Sequence, residues 1–326
     1  MRKKIAAFFA GLILSLIFLY LLFKNINFSD ILSYYSKMNY FWLIPFAAVL
    51  TLQLALRAVK WRMMLSPFAK SDFYSVFKLE TAGLAVNNIL PFRIGELARA
   101  FMGAKMFKVS SVSVFSTIVL ERAVDFLAMV LIFAFFSRAE NFTLGFFKSD
   151  YFSYIAVIAL LFFVFMLFSD KIFKSSFYIS FSKKYPSLSA FSKKVMDGLK
   201  SFDNPLRGIL ILAVSVVQWL CEALNNYMFA LAFGLGAFIN FNKAALILCS
   251  TAVGVSLPSA PGYFGNFEFA AVQTMSLWGV QKEAALAYAS ALHLSGYFIM
   301  TVLGIYYVYS LGHSLSSIFE LGKKEK

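Results

Sequence analysis

The chain has 326 residues, of which 60% are hydrophobic and 14% charged, and phenylalanine alone occurs 40 times. Soluble domains carry about 25% charged residues, and this few cannot cover so much apolar surface in water, so an ordinary cytosolic enzyme is excluded and disorder with it. The formal charge of +14 points first to a bilayer and not to nucleic acid.

The N-terminus, Met1-Arg-Lys-Lys, is followed by 19 uncharged residues from Ile5 to Phe23. At 1.5 Å per residue this is roughly 28 Å, one hydrocarbon thickness. No small-x-small cleavage site follows, so it reads as a retained first span. Five further stretches have the length to cross: Phe41–Val59, Val114–Phe136, Tyr151–Ser169, Leu206–Phe233 and Ala284–Leu311. Lysine and arginine concentrate at the N-terminus, in 170–207 and in the tail Lys323-Lys324-Glu325-Lys326. This bias places both termini and the basic segment in the cytoplasm, with 24–40, 137–150 and 234–242 facing outward. Segment 170–205, where paired lysines alternate with Phe173, Phe177, Tyr178, Phe181 and Phe191, suits a helix on an anionic lipid surface.

Two apolar regions are broken. Residues 73–108 contain Asn87-Asn88-Ile-Leu-Pro91-Phe-Arg93-Ile-Gly-Glu96, and 243–278 contain Leu257-Pro258-Ser-Ala-Pro261-Gly262-Tyr-Phe-Gly265-Asn-Phe-Glu268. Proline removes a backbone donor and glycine permits tight turns, so each region is expected to form a re-entrant helical hairpin. Pro91 and Pro258 each fall about 50 residues after the start of the preceding long span. The expected fold is an all-α polytopic membrane domain over 1–326. It has about six full transmembrane helices and two re-entrant hairpins, as an inverted-topology repeat of 1–140 and 150–311. The alternative is that 73–108 forms two further spans.

Ionisable residues inside apolar segments are functional candidates, because a charge in hydrocarbon is costly. Arg93, Glu96 and Arg99 recur at i, i+3 and i+6 along one helix face, where arginine suits a phosphate or carboxylate. They read either as a phospholipid head-group or pyrophosphate site, or as an ion pair that holds the hairpin shut. Glu121 and Asp125, four apart and flanking Arg122, read as a structural network or as proton carriers. Glu222 with Asn225 and Asn226 makes a polar stripe that lines a cavity or joins helices. Glu268 is the symmetry counterpart of Glu96 without an accompanying arginine, and His293 is expected in an interhelical hydrogen bond. Arg57, Lys60 and Arg62 around Trp61 read as snorkelling cations at a membrane interface.

Two cysteines and two histidines in separate apolar runs give no disulfide framework and no metal-ligand set. There is no P-loop, H-E-x-x-H, G-x-S-x-G or D-x-D motif, so neither cofactor nor enzymatic role is expected.

Three motifs in order, Pro91-x-Arg93-x-Gly95-Glu96-x-x-Arg99, Glu121-Arg122-x-x-Asp125 and Leu257-Pro258-x-x-Pro261-Gly262-x-x-Gly265-x-x-Glu268, resemble the lysylphosphatidylglycerol synthase transmembrane region family. The basic and aromatic run Arg57 to Arg62 resembles it too, whereas Tyr263 stands where members often have glycine. The resemblance implies a flippase-like protein that translocates or handles a membrane phospholipid or lipid-linked substrate. In fused members this region is associated with flipping an aminoacylated phosphatidylglycerol made by a cytosolic domain. The sequence has no counterpart of that domain, so lipid synthesis is not implied. Some relatives are joined to glycosyltransferases, which makes a separate transferase partner, and a homo-oligomer, further expectations.

Overall fold

Backbone amides in lipid must be satisfied within the chain, and in an apolar sequence of this kind helices do so locally. A computed structural model describes residues 2–90, 94–142, 149–173 and 200–314. Among them the chain is helical, without a strand. In order the helices are α1 (Arg2–Phe23), α2 (Phe28–Lys37), α3 (Leu43–Leu65), α4 (Phe73–Ile89), α5 (Ile94–Phe107), α6 (Ser111–Ala139), α7 (Ser149–Phe173), α8 (Pro205–Ala232), α9 (Phe241–Ser256), α10 (Asn266–Ser276) and α11 (Lys282–Ser310). Pro91, Arg93 and the core of the basic segment, 174–199, lie outside the described residues, as does the lysine-rich tail.

Short polar side chains start several helices by accepting their first free amides. Asn27 accepts from the Ser29 amide at 3.1 Å, Asp72 from Ser75 at 2.9 Å, Asn204 from Leu206 at 2.9 Å and Asn240 from Lys243 at 2.9 Å. At the exposed start of α4, bonds from the Ser75 side chain and amide hold the Asp72 carboxyl below its ordinary value. The stability this cap contributes is present at neutral pH and is lost only as pH falls through that lowered value.

Among the described residues three helical stretches are long and apolar enough to cross a bilayer: Tyr40–Leu65, Pro205–Ala232 and Lys282–Ser310. A fourth arises if Gly11–Phe23 and Phe28–Lys37, bent by 85° at their junction, are taken together. Of the other expected crossings, α6 has the length but carries Glu121, Arg122, Asp125 and Arg138, and α7 is an apolar helix of 25 residues, of which the side chains of 153–168 are described. Segment 24–40, expected as an outward loop, contains α2. Its Tyr34 and Tyr35 hydroxyls meet Gln281 at 2.8 Å and Ser290 at 2.9 Å, and so tie it to the start of α11.

Both broken regions are pairs of packed helices, α4 with α5 and α9 with α10. The second break includes a turn at Pro261–Tyr263 with positive φ at Gly262 (+72°), Tyr263 (+62°) and Gly265 (+88°). A tyrosine thus adopts the left-handed conformation that glycine takes more readily. That turn rests on α4, so the two pairs meet. Helix α3 packs on α8, α4 on α11, and α9 on α6. Gly304 allows the α4–α11 contact: a Cβ there would lie 2.4 Å from both Ala85 Cβ and the Thr81 carbonyl oxygen.

Helix α3 passes through two apolar clusters. Phe46 and Leu50 join Phe229 and Tyr288, while Ala58, Trp61, Met64 and Leu65 join Leu79, Ile118 and Val124. Gln53, Arg57 and Lys60 are buried on the same helix. These three polar residues of α3 therefore face the interior of the bundle, while Thr51 and Arg62 are exposed.

Candidate functional site

Arg57 and Lys60 are three apart on α3 and so project together. Both are buried, Lys60 at 0% exposure, and Trp61 is equally enclosed. This corrects the expectation of snorkelling for Arg57 and Lys60 and of an interfacial Trp61, while Arg62 is exposed: the Trp61 indole donates to Thr117 Oγ1 at 3.1 Å and carries the Arg99 guanidinium 4.4 Å above its ring.

The charges of α3 meet those of α4, α5 and α6. Arg57 Nε donates to Glu80 Oε1 at 2.8 Å, and its Nη2 lies 3.6 Å from Glu121 Oε1. Arg99 bonds the other Glu80 oxygen and donates to Glu121 Oε2 at 2.5 Å. Lys60 Nζ reaches Asp125 Oδ1 at 2.5 Å and Gln218 Oε1 at 2.8 Å, with Glu121 at 3.7 Å. Asp125 Oδ1 also accepts from Ser215 at 2.6 Å and from the Trp219 indole at 3.2 Å. Each buried carboxylate thus faces at least two cations or several donors, which offsets a desolvation cost of several kcal/mol per ion.

Among the described residues this cluster holds four cations, Arg57, Lys60, Arg99 and Arg122, against three buried carboxylates, Glu80, Glu121 and Asp125. Arg122 is its open end, with a side chain 35% exposed. Its Nη2 donates to Glu121 at 2.9 Å and lies 3.6 Å from Asp125 Oδ2, while its Nε is 3.9 Å from Glu96 Oε1. Glu96, 27% exposed, is the outermost carboxylate within reach of Arg122 and the most loosely held of the three. Glu96 therefore faces Arg122 and not Arg99; the other partner expected for it, Arg93, lies outside the described residues. Arg99 is spent internally on Glu80 and Glu121.

The other expected site residues have separable places. Asn87 Oδ1 accepts the Gly95 amide at 2.7 Å, so it caps α5 from across the hairpin. Asn88 donates to Thr301 of α11 at 2.9 Å. Asn226 accepts the Tyr288 hydroxyl at 3.1 Å and donates to the Glu222 carbonyl at 2.9 Å. Glu222 lies one turn beyond Gln218 on α8, close to the ionic cluster but outside its hydrogen bonds. Around the second break, Glu268 accepts from the Gly265 amide at 2.7 Å and pairs with His293 Nδ1 at 2.6 Å, the interhelical bond expected of that histidine. The Pro258 carbonyl accepts from Asn266 at 3.3 Å, and Pro261 and Gly262 form the turn on α4. Glu96, Arg99, Glu121, Arg122 and Asp125 are brought together; Pro258 to Glu268 form a distinct substructure.

Glu80, Ser215 and Gln218 were not singled out from sequence. Glu80 carried a usable signal, as a carboxylate inside Leu79-Glu-Thr-Ala-Gly83, a run otherwise small and uncharged. Replacing Asn87 by alanine removes the α5 cap and is expected to lower stability by about 1 kcal/mol. A thermal melt of the detergent-solubilised protein measures it.

With this arrangement in view, comparison with known families is informative. The model of the lysylphosphatidylglycerol synthase TM region matches residues 8–304. The chain belongs to this family. The lysylphosphatidylglycerol synthase TM region so defined takes in every described member of the ionic cluster and both broken helix pairs. Among curated relatives, UPF0104 membrane protein MJ1595 of Methanocaldococcus jannaschii is 24% identical, covering 93% of this chain and 95% of its own. UPF0104 membrane protein MJ1078 of the same organism is 25% identical, covering 67% of this chain and 91% of its own. No solved structure matches the chain.

Proposed function

We propose that this protein translocates a lipid with an anionic, phosphate-bearing head group across the cytoplasmic membrane, acting as a transporter and not as an enzyme. The observation that carries the reading is an ionic cluster of four cations and three buried carboxylates which, among the described residues, opens to the outside at Arg122 and its loosely held partner Glu96. A phosphate displaces Glu96 and takes the guanidinium of Arg122, whose planar fork suits two phosphate oxygens. Further support comes from polar atoms inside the bundle. Arg99 Nε, Arg122 Nε, Asp125 Oδ2, Gln218 Nε2 and Asn225 Oδ1 are buried without a hydrogen-bond partner, in a seam shared by α5, α6 and α8. Such a seam gives a head group polar contacts where lipid offers none.

In this reading the pairs α4/α5 and α9/α10 are the re-entrant elements of an inverted repeat, with the positive-inside bias placing both termini in the cytoplasm. The packing of α4 on α11 and of α9 on α6 supports it, because a two-fold exchange of halves relates the two contacts. Pro258 to Glu268 then form the gate that faces the first hairpin.

Translocation of a fluorescent phosphatidylglycerol in proteoliposomes tests the proposal. A charged hydrogen bond is worth about 1.5–3 kcal/mol, so Arg122→Gln is expected to reduce the rate about 10-fold or more. Arg122→Lys is expected to retain part of it, and Glu96→Gln to bind the lipid more tightly. Flux no greater than in empty vesicles, for several anionic lipids, refutes the reading.

A further inference from the structure

Helix α11 carries His293, Tyr297 and Thr301 at steps of four residues, hence along one face, and His293 and Tyr297 flank the midpoint of its 29 residues. From His293 to Thr301 this stripe rises about 12 Å. One end is joined to the second broken pair, through His293 Nδ1 and Glu268 at 2.6 Å. The other is joined to the first, through Thr301 and Asn88 at 2.9 Å. Between them the Tyr297 ring lies against the turn of the second break: a Cβ on Gly262 would be 2.9 Å from Tyr297 Cε2. That turn rests on α4, so the stripe runs where the two breaks meet.

His293 is held in a fixed pose. Its ring stacks on Phe267 with centroids 4.5 Å apart and meets Phe264 at 4.9 Å, and Phe264 in turn meets Tyr297 at 5.3 Å. Both oxygens of Glu268 are engaged, Oε2 by the Gly265 amide at 2.7 Å and Oε1 by His293 Nδ1. With Nδ1 bonded to the carboxylate, Nε2 is the ring nitrogen left for another group. Among the described residues Nε2 has no hydrogen-bond partner, and neither has the Tyr297 hydroxyl. Yet neither belongs to the enclosed polar atoms of the bundle, and the His293 side chain keeps 11% of its surface open. Open polar atoms at the middle of a membrane-long helix need a polar neighbour, because hydrocarbon supplies none.

We infer that His293 Nε2 and the Tyr297 hydroxyl bind the hydroxyl groups of a polyol head group and so select the substrate. A hydroxyl donates and accepts, as does the phenol, and it serves Nε2 whether or not that nitrogen carries a proton. An ammonium group is the poorer match, since it serves only an unprotonated Nε2 and finds both oxygens of Glu268 already engaged. The aromatic packing fixes the direction of the imidazole, which is what lets a hydrogen bond discriminate between head groups. That the polyol belongs to a lipid rests on the translocation reading, in which Arg122 takes the phosphate. The first break connects the two places: Asn88 holds Thr301, and its neighbour Asn87 caps α5 at Gly95, the residue before Glu96.

Native mass spectrometry of the full chain in detergent, with competing lipids of matched acyl chains, tests it. The wild type should hold phosphatidylglycerol about 10-fold more tightly than phosphatidylmethanol, which has the same charge but no head-group hydroxyl. Tyr297→Phe removes an oxygen that bonds nothing in the protein, so it should melt with the wild type while the preference falls about 3-fold. His293→Phe combined with Glu268→Gln keeps a ring in the stack without stranding a carboxylate, and should remove most of the preference. Binding of phosphatidylmethanol should stay unchanged in both variants. No preference in the wild type, or one that survives both variants, overturns the proposal. Tighter binding of phosphatidylethanolamine than of phosphatidylglycerol overturns the polyol assignment. Hydroxyl-dependent binding without lipid flux in proteoliposomes supports the site and refutes the translocation reading; flux without hydroxyl preference does the reverse.

Discussion

Replacing Lys60 by methionine is expected to cost about 3–5 kcal/mol of stability, because it leaves a buried carboxylate without its cation. Lys60 is wholly enclosed and is the cation in contact with Asp125 at 2.5 Å, while Arg122 stays 3.6 Å from the other oxygen. Ser215 and Trp219 continue to donate to Asp125, but neutral donors do not replace an ammonium group. The loss should appear as a lowered unfolding midpoint in detergent. Adding Asp125→Asn to Lys60→Met should recover most of it, since the second change removes the stranded charge. Should the single variant remain within about 1 kcal/mol of the wild type, the cluster is not dry and the pairings have surface-like value.

The second large effect is expected from Gly95→Ala. A Cβ at this position would lie 2.0 Å from the Gly83 carbonyl oxygen and 2.6 Å from Asn87 Oδ1. Neither is the free end of a flexible chain: one is backbone, the other is fixed by the cap it forms. The helices α4 and α5 must separate, and Arg99, one turn further along α5, is drawn from Glu80. Overpacking of this kind costs about 1–3 kcal/mol, and lipid flux should fall with it. Gly103→Ala is the control on the same helix. Its Cβ would meet Trp61 and Val114 at 3.5 Å and Leu79 at 3.8 Å, all ordinary contacts, so helix propensity should raise stability by up to about 1 kcal/mol. A Gly95→Ala protein that melts with the wild type would mean that the hairpin does not close on its glycines.

The helical class, the membrane setting and the two breaks were legible because proline, glycine and uninterrupted apolar length act locally. The partners inside the bundle were not, because they depend on which face of a helix turns inward. Arg57 and Lys60 stand at the end of an apolar run, where lysine and arginine usually reach for the interface, and nothing nearby in sequence announces Glu80 23 residues after Arg57 or Asp125 65 residues after Lys60. Gln218 is an uncharged residue in an apolar helix and gains its meaning only from Lys60. Helix α2 was overlooked although Asn27, with Ser29 and Asp30 behind it, is an ordinary helix start. The motif Glu121-Arg122-x-x-Asp125, by contrast, was readable, since charges on successive turns of an apolar helix require partners wherever the chain goes.

The contact between the two ends of the sequence has a consequence for biogenesis. Ser15 of α1 accepts the Ala260 amide at 2.9 Å and donates to Asn266 Oδ1 at 3.1 Å, while Gly11 lies against the backbone of Pro258 and Ser259. Helix α1 therefore waits in the membrane, with a hydroxyl and a notch unfilled, until some 250 further residues have been made. Closure of the second hairpin on α1 can only follow that synthesis. Until it happens, that early helix is the part of the nascent protein most open to capture by an insertase, a membrane protease or a neighbouring chain.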